Sequence, residues 1–374
     1  MRKEIPFDVE TTTILNGSPY HPQNRLVSVG MGDIIQYKEY NKDVLQQQTN
    51  TCILIGHNIK FDIAWLRSIG INFSSAIVRD TQLAEFLISN QTKVFASLNE
   101  LAEKYLGEHK LDIVKLEYWD KGIDTWFIPQ EILETYLKQD LVLTYRIFQV
   151  QKKILKETGK WDLYLLQCAD LIELQEMEYN GILLNKEKCI KEGEKLNEQI
   201  KDIKKYIISY TGCPSFNCSS GDHLSALLYG GTIVHTISNH VGYYKTGAKI
   251  GQPRYKLEKI EYKQDQLIAP LKGSELKKKG FYSVDEFTLK SLKPRKKEIK
   301  KLIEYILRLA KLEKLQLTYF FGIPKLMDEQ GWNDNYIHGQ LNQVVARTGR
   351  LSASKPNQQN LDPEFKKQCE SRYE

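Results

Sequence analysis

The sequence predicts an α/β fold for residues 1–155, then a mainly helical region, 156–330, and a short β-like segment, 331–374. Three observations carry that expectation. Residues 1–150 alternate short β-prone runs with stretches of helical period, the pattern of strands interleaved with helices. Between residues 161 and 317, three long stretches repeat apolar residues at helical spacing. After Gly331 the pattern turns β-like over Tyr336-Ile337-His338-Gly339-Gln340-Leu341. At about 100–200 residues per domain, the 374 residues suit two or three such regions.

Taken in order, residues 4–10 form a β-prone entry ending in Phe7-Asp8-Val9-Glu10. Leu26–Met31 and the apolar run 52–55 read as strands. Residues 60–69 place Phe61, Ala64, Trp65 and Ile69 at helical spacing, and residues 81–88 and 97–106 continue that period. Pro129 stands at a helix start, followed on one face by Ile132, Leu133, Tyr136, Leu137, Leu141 and Tyr145. Residues 161–179 read as a helix closed by Asn180-Gly181, and 186–210 as a long helix with a polar face. Residues 242–281 are lysine-rich, loop-rich and without clear period. Residues 296–317 return to a helix, with Leu302, Tyr305, Ile306, Leu309, Leu312 and Leu315 on one stripe.

Composition narrows the function classes. An apolar content of 41% with 27% charged residues excludes a mainly disordered chain. No apolar run approaches the ~20 residues needed to span a bilayer, so no membrane role is expected. The first residues contain no signal-peptide apolar stretch, and six cysteines are scattered along a long chain. Both point to a reducing, cytoplasmic compartment. The charge is uneven. Residues 245–301 hold 17 Lys/Arg and 7 Asp/Glu, a net +10, whereas residues 1–150 hold 15 and 19, a net −4. The basic stretch suits a polyanion such as DNA, or is a solvated lysine-rich face. The acidic region accepts nucleic acid only if cations intervene.

Three short segments in the acidic region carry chemistry. Asp8 and Glu10, at i and i+2 of a strand, share a face and repel one another unless a cation binds them. Gly56-His57-Asn58-Ile59-Lys60-Phe61-Asp62 follows a buried strand; Asn58 is placed to cap the coming helix, with Asp62 about one turn inside it. Tyr136 and Asp140 stand at i and i+4 on one helix face. Each segment alone is compatible with an exposed surface. Their order within 140 residues, and the phrases Phe-Asp-Val-Glu-Thr-Thr and Gly-His-Asn-Ile-Lys-Phe-Asp, resemble the proofreading 3′→5′ exonucleases with four acidic residues and a tyrosine, the DEDDy class. The resemblance implies a ribonuclease H-like domain, a mixed sheet flanked by helices. It also implies that Asp8, Glu10, Asp62 and Asp140 hold two divalent ions, Mg²⁺ or alternatively Mn²⁺, for phosphodiester hydrolysis. By the same resemblance, Tyr136 orients the attacking water, and Thr11 and Asn58 lie near the terminal nucleotide of the DNA. Asp80, opening Asp-Thr-Gln-Leu, reads as a helix cap rather than a fifth ligand.

A second constellation follows residue 346. Arg347-Thr348-Gly349-Arg350-Leu351-Ser352-Ala353-Ser354-Lys355-Pro356-Asn357-Gln358-Gln359-Asn360-Leu361 gathers guanidiniums, hydroxyls and amides around a glycine. An arginine in the minor groove reads duplex shape without reading sequence. The stretch resembles the Thr-Gly-Arg-Leu-Ser-Ser-x-x-Pro-Asn-Leu-Gln-Asn motif of family A DNA polymerases, with Ala353 and Gln358 as departures. The resemblance implies that Arg347, Thr348 and Arg350 form a primer-terminus loop, that Asn357 and Gln359 lie near the template–primer duplex, and that residues 331–374 are the first strands of a palm. Residues 156–330 resemble that family's thumb. The basic stretch 243–285 resembles an insert of some bacteriophage members.

The palm carboxylates and the fingers lysine helix of that family are absent from these 374 residues. The expectation is therefore a split polymerase of phage type, acting in the host bacterial cytoplasm. In it this chain proofreads and grips DNA, and a C-terminal partner chain carries the rest of the palm and the fingers. A standalone exonuclease and a decayed DNA-binding module remain as alternatives.

Overall fold

Strand β1, Glu4–Thr11, is built by alternation: Ile5, Phe7 and Val9 enter the core, and Asp8 and Glu10 point to the opposite side. It is the centre of a five-stranded sheet. β2 (Leu26–Met31) pairs with it antiparallel, and β3 (Ile34–Tyr37) pairs antiparallel with β2. After helix α1 (Lys42–Thr51), β4 (Ile53–Gly56) joins the other edge of β1 in parallel. Helix α2 (Lys60–Ser68) leads to β5 (Ile77–Asp80), parallel to β4. The strand order is β3-β2-β1-β4-β5, a mixed sheet of the ribonuclease H-like kind. The computed structural model describes residues 2–371 apart from 111, 112, 248 and 333.

Helices flank the sheet: α3 (Thr81–Ile88), α4 (Leu98–Leu106), the short α5 (Ile113–Glu117), the 28-residue α6 (Gln130–Glu157) and α7 (Trp161–Asn180). Leu54, Ile63, Phe73, Phe86 and Phe148 close around Phe7 in a continuous core. Tyr164, Cys168, Leu171 and Ile172 belong to the same core, so α7 packs with the sheet although it lies beyond the expected boundary at residue 155. Gly30, opposite Asp8 in the β1–β2 ladder, lets α6 close onto the sheet: a Cβ there would stand 2.6 Å from Leu141 Cδ1.

The described chain forms two units, residues 1–186 with 323–374, and residues 187–322. After β6 (Ile182–Leu183), the second unit opens with α8 (Lys186–Ser209), whose Ile200, Ile203 and Ile207 form a helical core with α9 (Gly221–Tyr229). Here the sequence reading of 242–281 as loop-rich is corrected. β7 (Gly231–Tyr243) and β8 (Pro253–Gln264) form a long antiparallel hairpin. Ile233 and Tyr262 root it in the helical core, and most of its length is exposed on both faces. A strand solvated on both faces has no in–out alternation for the sequence to display. α10 (Glu286–Ser291) and α11 (Lys297–Lys314) follow; of the predicted stripe, Leu302, Ile306 and Leu309 are buried in the helical core and Tyr305 and Leu312 pack against it, and Ile299 and Ile303, outside that stripe, are buried with them.

The chain returns to the first unit through α12 (Gly322–Gln330). The β-like run at 336–341 is two strands rather than one: β9 (Tyr336–Ile337) pairs with β6, and β10 (Gln340–Asn342) pairs with β11 (Ser352–Ser354). The chain changes partners at His338-Gly339, between them. The short helix α13 (Pro363–Lys366) follows. Of the segment 331–374, residues 333 and 372–374 lie outside the described residues. No described helix is long and apolar enough to cross a membrane.

Candidate active site

The three acidic segments converge at the centre of the sheet. β1 presents Asp8 and Glu10 on one side, and α6 presents Tyr136 and Asp140 one turn apart. One carboxylate oxygen from each of Asp8, Glu10 and Asp140 lies within 4.8 Å of the others. Asp62 stands beside this trio. Its Oδ1 accepts the Val9 N–H at 3.1 Å, between the two β1 carboxylates.

Asn58 differs from its expected capping role. It takes a left-handed backbone, φ +56°, with its side chain exposed, and makes no cap hydrogen bond to α2. Asp80 serves that end instead. Gly56 pairs with Asp80 across β4 and β5, so the Asp80 carboxylate reaches both helix starts and accepts from Ile59 N–H at 2.7 Å and from Leu83 N–H at 2.6 Å. Burial holds His57 down at about 4, so it is neutral near pH 7; its Nδ1 lies 2.8 Å from Thr81 Oγ1.

Burial dominates the electrostatics. It pushes Asp8 up to about 7, with repulsion from Asp140 adding to the shift. Glu10 is raised by burial and then by Asp8 and Asp140, and Asp62 by burial and then by Asp8. Burial also raises the Tyr136 phenol, which therefore stays protonated. One residue at this site was not singled out from the sequence. Lys110, in the loop after α4, forms an ion pair with Asp140 and stands 4.3 Å from the Tyr136 ring centroid. A lone lysine in a loop, with no spacing relation to any carboxylate, offers no signal in one sequence. Asp140 Oδ1 is buried without a hydrogen-bond partner among the described residues. An orphaned carboxylate oxygen beside two further carboxylates, all hard oxygen donors, fits a divalent cation.

The second constellation spans the β10–β11 hairpin. Arg347, Thr348 and Arg350 are exposed in its loop, where Gly349 takes φ +73° and closes a turn onto Ala346. Neither arginine has an ion-pair partner among the described residues. Asn357 and Gln359 are exposed beyond β11, and the Asn357 side chain accepts the Gln359 N–H. A cleft of about 640 Å³ in the first unit is lined by Asn58, Phe61, Gln82 and Phe95 and by Gly339, Ser352 and Lys355. Thr11, partly buried at the end of β1, donates its hydroxyl to Thr12 O.

Comparison with known proteins matches two stretches of the chain. Residues 28–158 match the 3′-5′ exonuclease family, and residues 254–373 match DNA polymerase family A. The two matched stretches are similar to a 3′-5′ exonuclease domain and to part of a family A polymerase domain, as in the Pol I-like relatives. DNA polymerase I of Chloroflexus aurantiacus is 29% identical over 312 residues, 82% of this chain and 28% of that protein. DNA polymerase I of a Synechocystis strain is 28% identical over 352 residues, 91% of this chain and 29% of that protein. The chain thus spans less than a third of the length of these relatives. Its fold resembles the POL domain of Pol1 from M. smegmatis, solved in complex with DNA primer-template and dNTP. The TM-score is 0.65 at 17% identity, covering 97% of this chain and 53% of that one. The exonuclease match includes Asp62, Tyr136 and Asp140, whereas Asp8 and Glu10 precede it and are placed by geometry. The polymerase match includes β8, α11 and the Arg347–Arg350 loop.

Proposed function

We propose that this chain is the DEDDy-type 3′→5′ proofreading exonuclease and DNA-gripping part of a phage-type family A DNA polymerase. The observation that carries the reading is the convergence of Asp8, Glu10 and Asp140 within 4.8 Å, with Asp62 and Tyr136 alongside. Two divalent ions, Mg²⁺ or Mn²⁺, would supply Lewis-acid stabilisation to the attacking and leaving oxygens of a terminal phosphodiester. Asp8, Glu10, Asp62 and Asp140 hold that charge in a buried setting. Tyr136, protonated, offers its hydroxyl to orient the attacking water. Asn58 and Thr11 flank the terminal nucleotide. Arg347, Thr348, Arg350, Asn357 and Gln359 face the primer–template duplex, and the basic hairpin of the second unit tracks its phosphates. Polymerisation, in this reading, needs the palm carboxylates and the fingers lysine helix of the C-terminal partner expected from the sequence.

The test is digestion of a 5′-labelled single strand by the purified chain with Mg²⁺, beside its Asp8→Ala form. Stepwise shortening from the 3′ end, abolished in Asp8→Ala, is expected. Equal shortening by both forms would remove the metal assignment, and no shortening by either would remove the exonuclease assignment.

A further inference from the structure

Lys110 stands where the carboxylate cluster most needs positive charge. Among the described residues it is the sole cation ion-paired with any of Asp8, Glu10, Asp62 or Asp140. Its side chain is 22% exposed, whereas that of its partner Asp140 is 3% exposed. The ammonium also lies over the Tyr136 ring, 4.3 Å from its centroid. Its loop is held on α6 independently of the site. Arg146 donates both terminal nitrogens to Glu108 at 2.8 Å, and Gln139 donates to His109 O. The backbone is thus anchored, and only a flexible four-carbon stem carries the charge into the cluster.

We propose that Lys110 is a tethered counter-cation: it fills the charge vacancy beside Asp140 in the metal-free chain and is displaced from that oxygen when a divalent ion loads. The inference rests on the metal reading of this same cluster. A divalent ion bound to Asp140 sits about 2.0–2.6 Å from the ligating oxygen. An ammonium on the same carboxylate then faces two positive charges a few ångströms away at low dielectric, and the repulsion exceeds what one carboxylate returns. The orphaned Asp140 Oδ1 leaves a second lone-pair face for the incoming ion, so exchange proceeds without first exposing a bare carboxylate. Lys110 thereby keeps the four carboxylates tolerable without metal and raises the metal concentration at which the site fills.

Two measurements on the full chain test this, and neither reads nuclease activity. The first is the acetylation rate of Lys110 by an amine-reactive ester, followed by mass spectrometry with and without saturating Mn²⁺. A several-fold rise on loading is expected, with Lys104, paired with Glu85, unchanged as control. An unchanged Lys110 rate alongside saturable Mn²⁺ binding overturns the proposal and leaves the metal reading standing. The second is Mn²⁺ affinity by electron paramagnetic resonance. Lys110→Met should bind on the order of tenfold more tightly, and Lys110→Arg within about twofold of the parent. Equal or weaker binding by Lys110→Met also overturns it. If the unaltered chain binds no Mn²⁺ at all, the metal reading and this proposal fall together.

Discussion

Asp8 holds a proton near neutrality in the metal-free chain because burial and the Asp140 charge both oppose its ionisation. That fixes the sign of a pH effect. Its pKa rises from about 4 unfolded to about 7 folded, so the folded chain binds more protons across that interval. The corresponding stability is fully present below pH ~4 and is lost as pH rises through about 7. Glu10 and Asp62, also raised, act in the same direction. Divalent ions bind the deprotonated carboxylates and offset the loss. The increase in melting temperature on adding Mn²⁺ in place of EDTA should therefore grow from pH 5 to pH 7.5, read by differential scanning fluorimetry. An increment independent of pH would contradict the assignment. At this scale the acidic segments stood out through their order and their resemblance to the proofreading exonucleases, since each alone is compatible with an exposed surface. Lys110 and Gly30 did not, because a loop lysine and a strand glycine gain their roles from α6, which is distant in sequence.

Among elements, the long periodic helices α6, α7, α8 and α11 were legible. β3, β5 and the β7–β8 hairpin were not, since short or two-sided strands lack a contrasted face. No pattern in the sequence announces how α2 is tied to the polymerase-like hairpin. Lys60, two residues before Asp62, donates to Glu178 of α7 at 2.5 Å and to Leu341 O of β10 at 2.6 Å, and Glu178 also accepts the Leu341 N–H. The Lys60 and Glu178 side chains are 16% and 12% exposed. Removing one partner leaves a mostly buried charge unpaired, a loss of about 3–5 kcal/mol. Glu178→Ala should therefore lower stability by roughly 3 kcal/mol in urea denaturation, and Lys60→Met/Glu178→Leu should recover most of it. A loss under about 1 kcal/mol would mean that water already reaches the pair.

Across the whole molecule, charge separates the two tasks. The acidic first 150 residues gather carboxylates around a site that needs cations, and the stretch 245–301 concentrates a net +10. Within the hairpin and its turn, residues 231–264 hold six Lys/Arg against two Asp/Glu, with Tyr243, Tyr255 and Leu257 exposed among them. Few of these side chains serve folding, since only the root of the hairpin reaches the helical core. A solvated lysine face and a phosphate-tracking arm differ in one measurable respect. A lysine that contacts phosphate releases a condensed counterion, and each such contact adds about 0.9 to the slope of log affinity against log salt. Replacing Lys256, Lys259 and Lys263 by Gln should weaken binding to a primer–template duplex and reduce that slope by up to about 2.7, read by fluorescence anisotropy at several salt concentrations. The loss should be equal across duplex sequences, because phosphate contacts carry no base information. A slope unchanged by all three substitutions would assign the hairpin's charge to solvation.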